Sequence, residues 1–106
     1  MRRMLPLRHK NVRNRGGSGA RGRRLDRKTR LAQRERWNRA VVAVWSATRR
    51  DAGLSQAVLA QKLGCSRDTI AAIESGRRKV EVSDVILFAT ALSIEPETIF
   101  RRILRW

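Results

Sequence analysis

Residues 54–76 read LSQAVLAQKLGCSRDTIAAIESG. Ser55 opens the stretch as a helix N-cap, because its hydroxyl can accept from a backbone N–H left unpaired in the first turn. Leu59, Ala60 and Leu63 then recur at 0, +1 and +4, one face of a helix. Gly64 follows directly, and glycine ends a helix in the left-handed conformation at no steric cost. Ser66 offers a second N-cap two residues later. Ile70 and Ile73 sit three apart and face inward, with Glu74 behind them and Gly76 as the second stop. No room for a loop remains between Leu63 and Ser66. The spacing therefore predicts two short amphipathic helices joined by a sharp turn, a helix-turn-helix over about residues 55–75.

The flanking sequence supplies a core for this motif. Val41, Val44, Trp45 and Thr48 fall at 0, +3, +4 and +7, an amphipathic first helix that should end near Asp51, Ala52 and Gly53. Val85, Phe88, Ala89 and Leu92 repeat the spacing, with Ser83 expected as N-cap. Pro96 suits the first turn of a fifth helix, where no N–H is missed, and Ile99, Phe100 and Ile103 continue it. Five short helices without strand-like alternation predict an all-α fold, just large enough to hold together without staples.

Charge divides the chain unevenly. It carries +16 over 106 residues, but residues 1–36 hold 14 Lys/Arg against two acids, whereas residues 37–106 hold 11 against seven. The front third also contains GGSGARG at residues 16–22 and few apolar residues beyond Leu5, Leu7, Val12, Leu25 and Leu31. It buries too little surface to offset chain entropy, which predicts a disordered basic arm over residues 1–36 ahead of a domain over residues 37–106. Within that arm a helix is expected to start across residues 26–36 and run into the domain.

The motif resembles the repressor-like helix-turn-helix proteins of the lambda and 434 repressor and Cro type, the XRE family. The residues that carry the resemblance are Ser55-Gln56, Leu59-Ala60, Leu63-Gly64, Ile70, Ile73-Glu74 and Gly76, and it extends over residues 37–100. It implies a five-helix, lambda-repressor-like DNA-binding domain whose second motif helix lies in the major groove of double-stranded DNA. With Ile70 and Ile73 inward, the base-contact set is Arg67, Asp68, Thr69, Ala71 and Ala72. Arg67 suits a bidentate contact to guanine, and Thr69 a base or a thymine methyl. Asp68 has two open readings, acceptance from a cytosine amino group or stabilisation of its own helix N-terminus. Ala71 and Ala72 depart from the polar residues common there and permit close approach.

The resemblance also assigns the phosphate contacts and the brace. Gln56 matches the position that binds phosphate and supports the reading side chains; Ser66, Arg77, Arg78 and Lys79 lie where phosphates run, supplying affinity and register. An Arg at the end of the first helix pairs with the Glu of the Ile-Glu step in relatives, which implies an Arg49–Glu74 ion pair. Periodicity alone leaves Arg50 as the alternative to Arg49.

Other features bear on partners and on what the chain is not. Val58 occupies a solvent-facing position, and Ile103, Leu104 and Trp106 prolong the last helix, so these four form the expected partner interface, for a homodimer on paired half-sites or for another protein. The alternative for Trp106 is a cover over the end of the core. The one cysteine, Cys65, reads as a small filler in the turn, and the one histidine, His9, has no ligand neighbours, so no metal or cofactor is expected. The glycine-rich stretch lacks the strand and Lys-Ser/Thr of a phosphate loop. No nucleophile–base set can be nominated, which argues against an enzyme. No membrane span and no secretory signal are expected, and the location expected is cytoplasmic and nucleoid-associated. The function implied is a sequence-specific transcriptional regulator. An antitoxin or bridging co-regulator working through a protein, and a non-specific nucleoid or RNA binder, are the alternatives.

Overall fold

The computed structural model describes residues 22–106. Five helices follow in order: α1 (Arg27–Asp51), α2 (Gln56–Leu63), α3 (Arg67–Glu74), α4 (Val82–Ala91) and α5 (Pro96–Arg105), with no strand among the described residues. The part of the expected disordered arm before residue 22, with His9 and Gly16 to Gly19, lies outside the described residues.

The helix ends explain themselves locally. Asp26 caps α1 by accepting from the Thr29 N–H at 2.8 Å, so the helix begins inside the stretch grouped with the arm, where one was expected to form. That hydrogen bond also holds the Asp26 carboxyl below its ordinary value. Ser55 accepts from the Val58 N–H at 3.1 Å and caps α2. Gly64 closes α2 at φ +74°, which lets the Cys65 N–H return to the Ala60 carbonyl at 3.0 Å. A side chain at Gly64 would be strained by this backbone rather than by any neighbouring atom. Pro96 occupies the first turn of α5.

One cap differs from expectation. Ser83 does not cap α4: the helix begins at Val82, Glu81 stands at the N-cap, and the Asp84 carboxylate accepts the Glu81 N–H at 2.9 Å. The cause is long-range. Val80 is buried in the core and its carbonyl accepts from the Trp37 indole at 3.1 Å, which fixes the approach to α4 before Ser83 is reached.

The core gathers one face from every helix. Val41, Val44, Trp45, Leu59, Ile70, Ile73, Val85, Phe88, Ile99 and Ile103 are all buried together. Trp45 stacks on Phe88 with ring centroids 4.0 Å apart, and Trp37 stacks on Phe100 at 6.3 Å. α3 packs on α2 and α1, while α5 closes the other side against α1 and α4. Burying an aliphatic side chain in such a core contributes about 1.5–3 kcal/mol, so these contacts outweigh any single cap. α3 is thereby clamped along its inner face, and its opposite face is left to solvent.

Candidate nucleic-acid interface

The inner face of α3 is fixed by a polar brace as well as by its isoleucines. Arg49, in the last turn of α1, grips Glu74 with two hydrogen bonds, Nε to Oε2 at 2.6 Å and Nη2 to Oε1 at 2.9 Å. Its third nitrogen donates to the Leu54 carbonyl at 2.7 Å, so one guanidinium ties α1, the chain before α2 and the end of α3. Gln56 Nε2 donates to the same Glu74 carboxylate at 3.1 Å. Both side chains of the pair are nearly covered, at 10% and 8% exposed. Burial pushes the Glu74 carboxyl up, but the hydrogen bonds from Arg49 and Gln56 outweigh it and hold the group below its ordinary value. The Glu74 contact likewise raises the Arg49 guanidinium. Arg50 is exposed and makes no such contact.

Ser66 caps α3, its hydroxyl accepting from the Thr69 N–H at 3.2 Å. The two hydroxyls of Ser66 and Thr69 lie 3.1 Å apart, so they form one small polar unit at the helix start. Arg67 and Asp68 are exposed at the first turn, while Thr69, Ala71 and Ala72 are half-buried. Asp68 is the acidic residue of that first turn, where a negative charge is stabilised by the unpaired N–H groups. The two alanines leave the middle of the helix low and free of long side chains, so a flat surface can come close to the backbone there.

Beyond α3 the chain turns at Ser75 and Gly76, and three cations follow. The backbone N–H groups of Arg77 and Arg78 both donate to the Ala72 carbonyl, at 2.9 and 3.1 Å, which holds this turn against the helix end. Arg77 Nε also donates to the Ser75 hydroxyl at 3.1 Å. Arg77, Arg78 and Lys79 are exposed. The expected base set and the basic triplet thus occupy the two ends of one helix. Gln56 differs in its surroundings, being half-buried with its carboxamide turned onto Glu74.

Two groups near this surface carried no motif signal. Asn38 and Arg39 of α1 line a depression of about 370 Å³ with Glu74, Ser75 and Gly76, so α1 borders the end of α3. Arg34, also on α1, shares a groove with Lys79. Both meetings join residues about 40 apart in sequence, and no local spacing reports such a pairing.

The expected partner surface is altered in one member. Ile103 is 1% exposed and belongs to the core, because it falls one turn after Ile99 on the buried stripe of α5. It is therefore removed from the interface set. Val58, Leu104 and Trp106 are exposed, and α4 adds Val82, Ile86 and Leu87. Cys65 is half-buried against the core. Among the described residues no group of three or more His, Cys, Asp or Glu is placed to hold a metal ion, and no helix is long and apolar enough to cross a membrane.

Comparison with known proteins agrees with this geometry. A family model described as a helix-turn-helix domain matches residues 15–99. No curated protein matches the chain.

Proposed function

The chain belongs to the helix-turn-helix domain family, and on that footing we propose that it is a sequence-specific transcriptional regulator that reads double-stranded DNA with α3. The observation that carries this reading is the asymmetry of α3. Its inner face is locked by Ile70, Ile73 and the Arg49–Glu74–Gln56 brace, while Arg67 and Asp68 face solvent at its first turn. A locked helix offers base-reading groups at a fixed height, which is what major-groove recognition requires.

In this reading Arg67 contacts guanine, Thr69 and Asp68 bear on neighbouring bases, and Ala71 and Ala72 allow close approach. Ser66, Arg77, Arg78 and Lys79 take phosphates and set the register. Gln56 acts through Glu74 as a brace and reaches phosphate with what remains of its carboxamide. The basic residues ahead of the domain add phosphate or minor-groove contacts, raising affinity and association rate more than choice of site. Such a protein is expected on the nucleoid.

One helix spans too few base pairs for useful specificity, so the proposed form on DNA is a two-fold dimer. The exposed apolar residues Val82, Ile86, Leu87, Leu104 and Trp106 support a protein contact of this kind. They equally support the second reading, a bridging co-regulator or antitoxin that holds another protein. A genome-wide binding map of the tagged protein, followed by footprinting, separates the two. The expected result is an inverted repeat with half-site centres about 10–11 base pairs apart, or a multiple of that. Uniform coverage without a shared sequence would contradict specific reading, and a protected block of 1:1 stoichiometry would contradict the dimer.

A further inference from the structure

Helix α1 is 25 residues long, yet its buried residues begin only at Ala40. Residues 22–36 contain no buried side chain, and Thr29 is the one half-covered residue among them. Leu25 and Leu31 are both 44% exposed. The same stretch holds seven Lys/Arg against Asp26 and Glu35. A helix that is polar nearly all round and packs on nothing is marginal by itself. This one is nonetheless capped by Asp26 and continuous with the core helix.

The groove beside it fixes which way its charges point. Arg34 and Lys79 line one cleft of about 540 Å³, together with Leu31, Trp37, Val80 and Glu81. The Trp37–Val80 hydrogen bond pins the two walls together. Arg27, Arg30 and Arg34 are spaced 0, +3 and +7, so they share one side of α1. Arg34, at one end of that row, lines the cleft with Lys79, while Arg27 and Arg30 border Leu25 and Asp26 at the other. Arg36, two residues on from Arg34, lies on another side and reaches back to the Trp106 carbonyl at 3.5 Å. The charges of Arg77, Arg78 and Lys79 at the end of α3 therefore continue onto α1 as a single track.

We infer that this face of α1 is a phosphate track, on which Arg27, Arg30 and Arg34 take successive backbone phosphates of the duplex beyond the C-terminal end of α3. The inference rests on the DNA reading above and adds an element to it: a helical, directional grip in place of a diffuse basic segment. From Arg27 to Arg34 the helix rises about 10 Å, the length of about three base-pair steps. Charge complementarity selects the occupant. Duplex DNA presents about one negative charge per 1.7 Å of axis, whereas a protein partner would be met by apolar anchors, and the exposed large apolar residues beside this face are two separate leucines, Leu25 and Leu31, set among its arginines. Glu35 and Glu81 also border the cleft and oppose anions within it, so the phosphates ride on the outer arginines.

Two charge-matched double variants of the full chain test the track. Arg30→Gln with Arg34→Gln removes charge from the track, and Arg101→Gln with Arg105→Gln removes the same charge from the exposed side of α5. Glutamine keeps the helix propensity close to that of lysine and arginine. Binding to a selected duplex site is measured over a range of salt concentration, with hydroxyl-radical footprinting. The track variant should lose about 1.8 from the magnitude of the log–log salt slope, two phosphates at about 0.9 each. Its footprint should shorten on the side beyond the end of α3, while the control variant keeps both slope and footprint. Equal loss in the two variants, or loss in neither, would overturn the track and leave the DNA reading standing. A wild-type chain with no measurable affinity for duplex DNA would overturn both.

Discussion

The helix-turn-helix segment and the first ten residues of α1 are both helical and both carry arginines, but they are held by different forces. In α2 and α3 a serine caps each start, and Leu59, Ala60, Ile70 and Ile73 are buried. The Arg49–Glu74 pair then ties the end of α3 to α1. In residues 27–36 the cap at Asp26 is the local support, and no side chain is buried. Tertiary contact makes the first region rigid whether or not anything is bound. The second region has no such tertiary contact, and on the proposed reading its partner is the duplex. On the proposed reading, the difference separates a surface that chooses a sequence from one that adds grip.

Substitutions should reproduce that division, and the largest effect belongs to the brace. Arg49→Ala leaves Glu74 as a buried carboxylate without its ion-pair partner, and should cost about 3–5 kcal/mol in urea unfolding. The same pair sets an acid limit. Arg49 and Gln56 hold the folded Glu74 carboxyl below its ordinary value, so its contribution is complete above the ordinary carboxylate value and is lost as pH falls through the lowered one. Melting temperature should accordingly drop on acidification in the wild type. Glu74→Gln should be less stable at neutral pH and show a shallower acid decline, and an unchanged decline would show that other carboxylates govern it.

A smaller cost is expected at the cap of α3. Ser66→Ala removes the hydroxyl that accepts from the Thr69 N–H, and should cost about 1 kcal/mol. Because that loss falls at the helix start, it should also loosen Arg67, and amide exchange of residues 67–70 reads this out. The smallest effect belongs to the unsupported part of α1. Leu31→Ala should change stability by no more than about 0.5 kcal/mol, since Leu31 is 44% exposed and lies outside the core. A loss near that of a core residue would mean that residues 27–36 are packed as firmly as the motif, and the contrast would fail.

How much of this was legible in the sequence follows the same line. Ser55, Gly64 and Ser66 act within three or four residues of themselves, and local spacing reports them well. Val41, Val44, Trp45, Thr48, Val85, Phe88 and Ile99 follow from helical periodicity. The start of α4 did not follow, because Val80 is placed by Trp37, 43 residues away, and Ser83 looked like the better local cap. Ile103 lay on the core stripe and in the terminal apolar cluster at once; packing against the rest of the core decided for the stripe. The Arg49–Glu74 pair came from resemblance to known repressors, since periodicity alone did not separate Arg49 from Arg50. The placing of Arg34 beside Lys79 had no signal in the chain, because the tertiary fold lays the connection between α3 and α4 along α1.

The central claim is that α3 reads bases through Arg67 while the other cations supply affinity without choice. It is tested most directly by titrating wild type and Arg67→Ala against a selected site and against random duplex at one fixed salt concentration. Arg67→Ala should bind the selected site more weakly by about 1–3 kcal/mol, relax preference at one base pair per half-site, and bind random duplex as the wild type does. Equal weakening on both duplexes would contradict it, by making Arg67 one more phosphate contact.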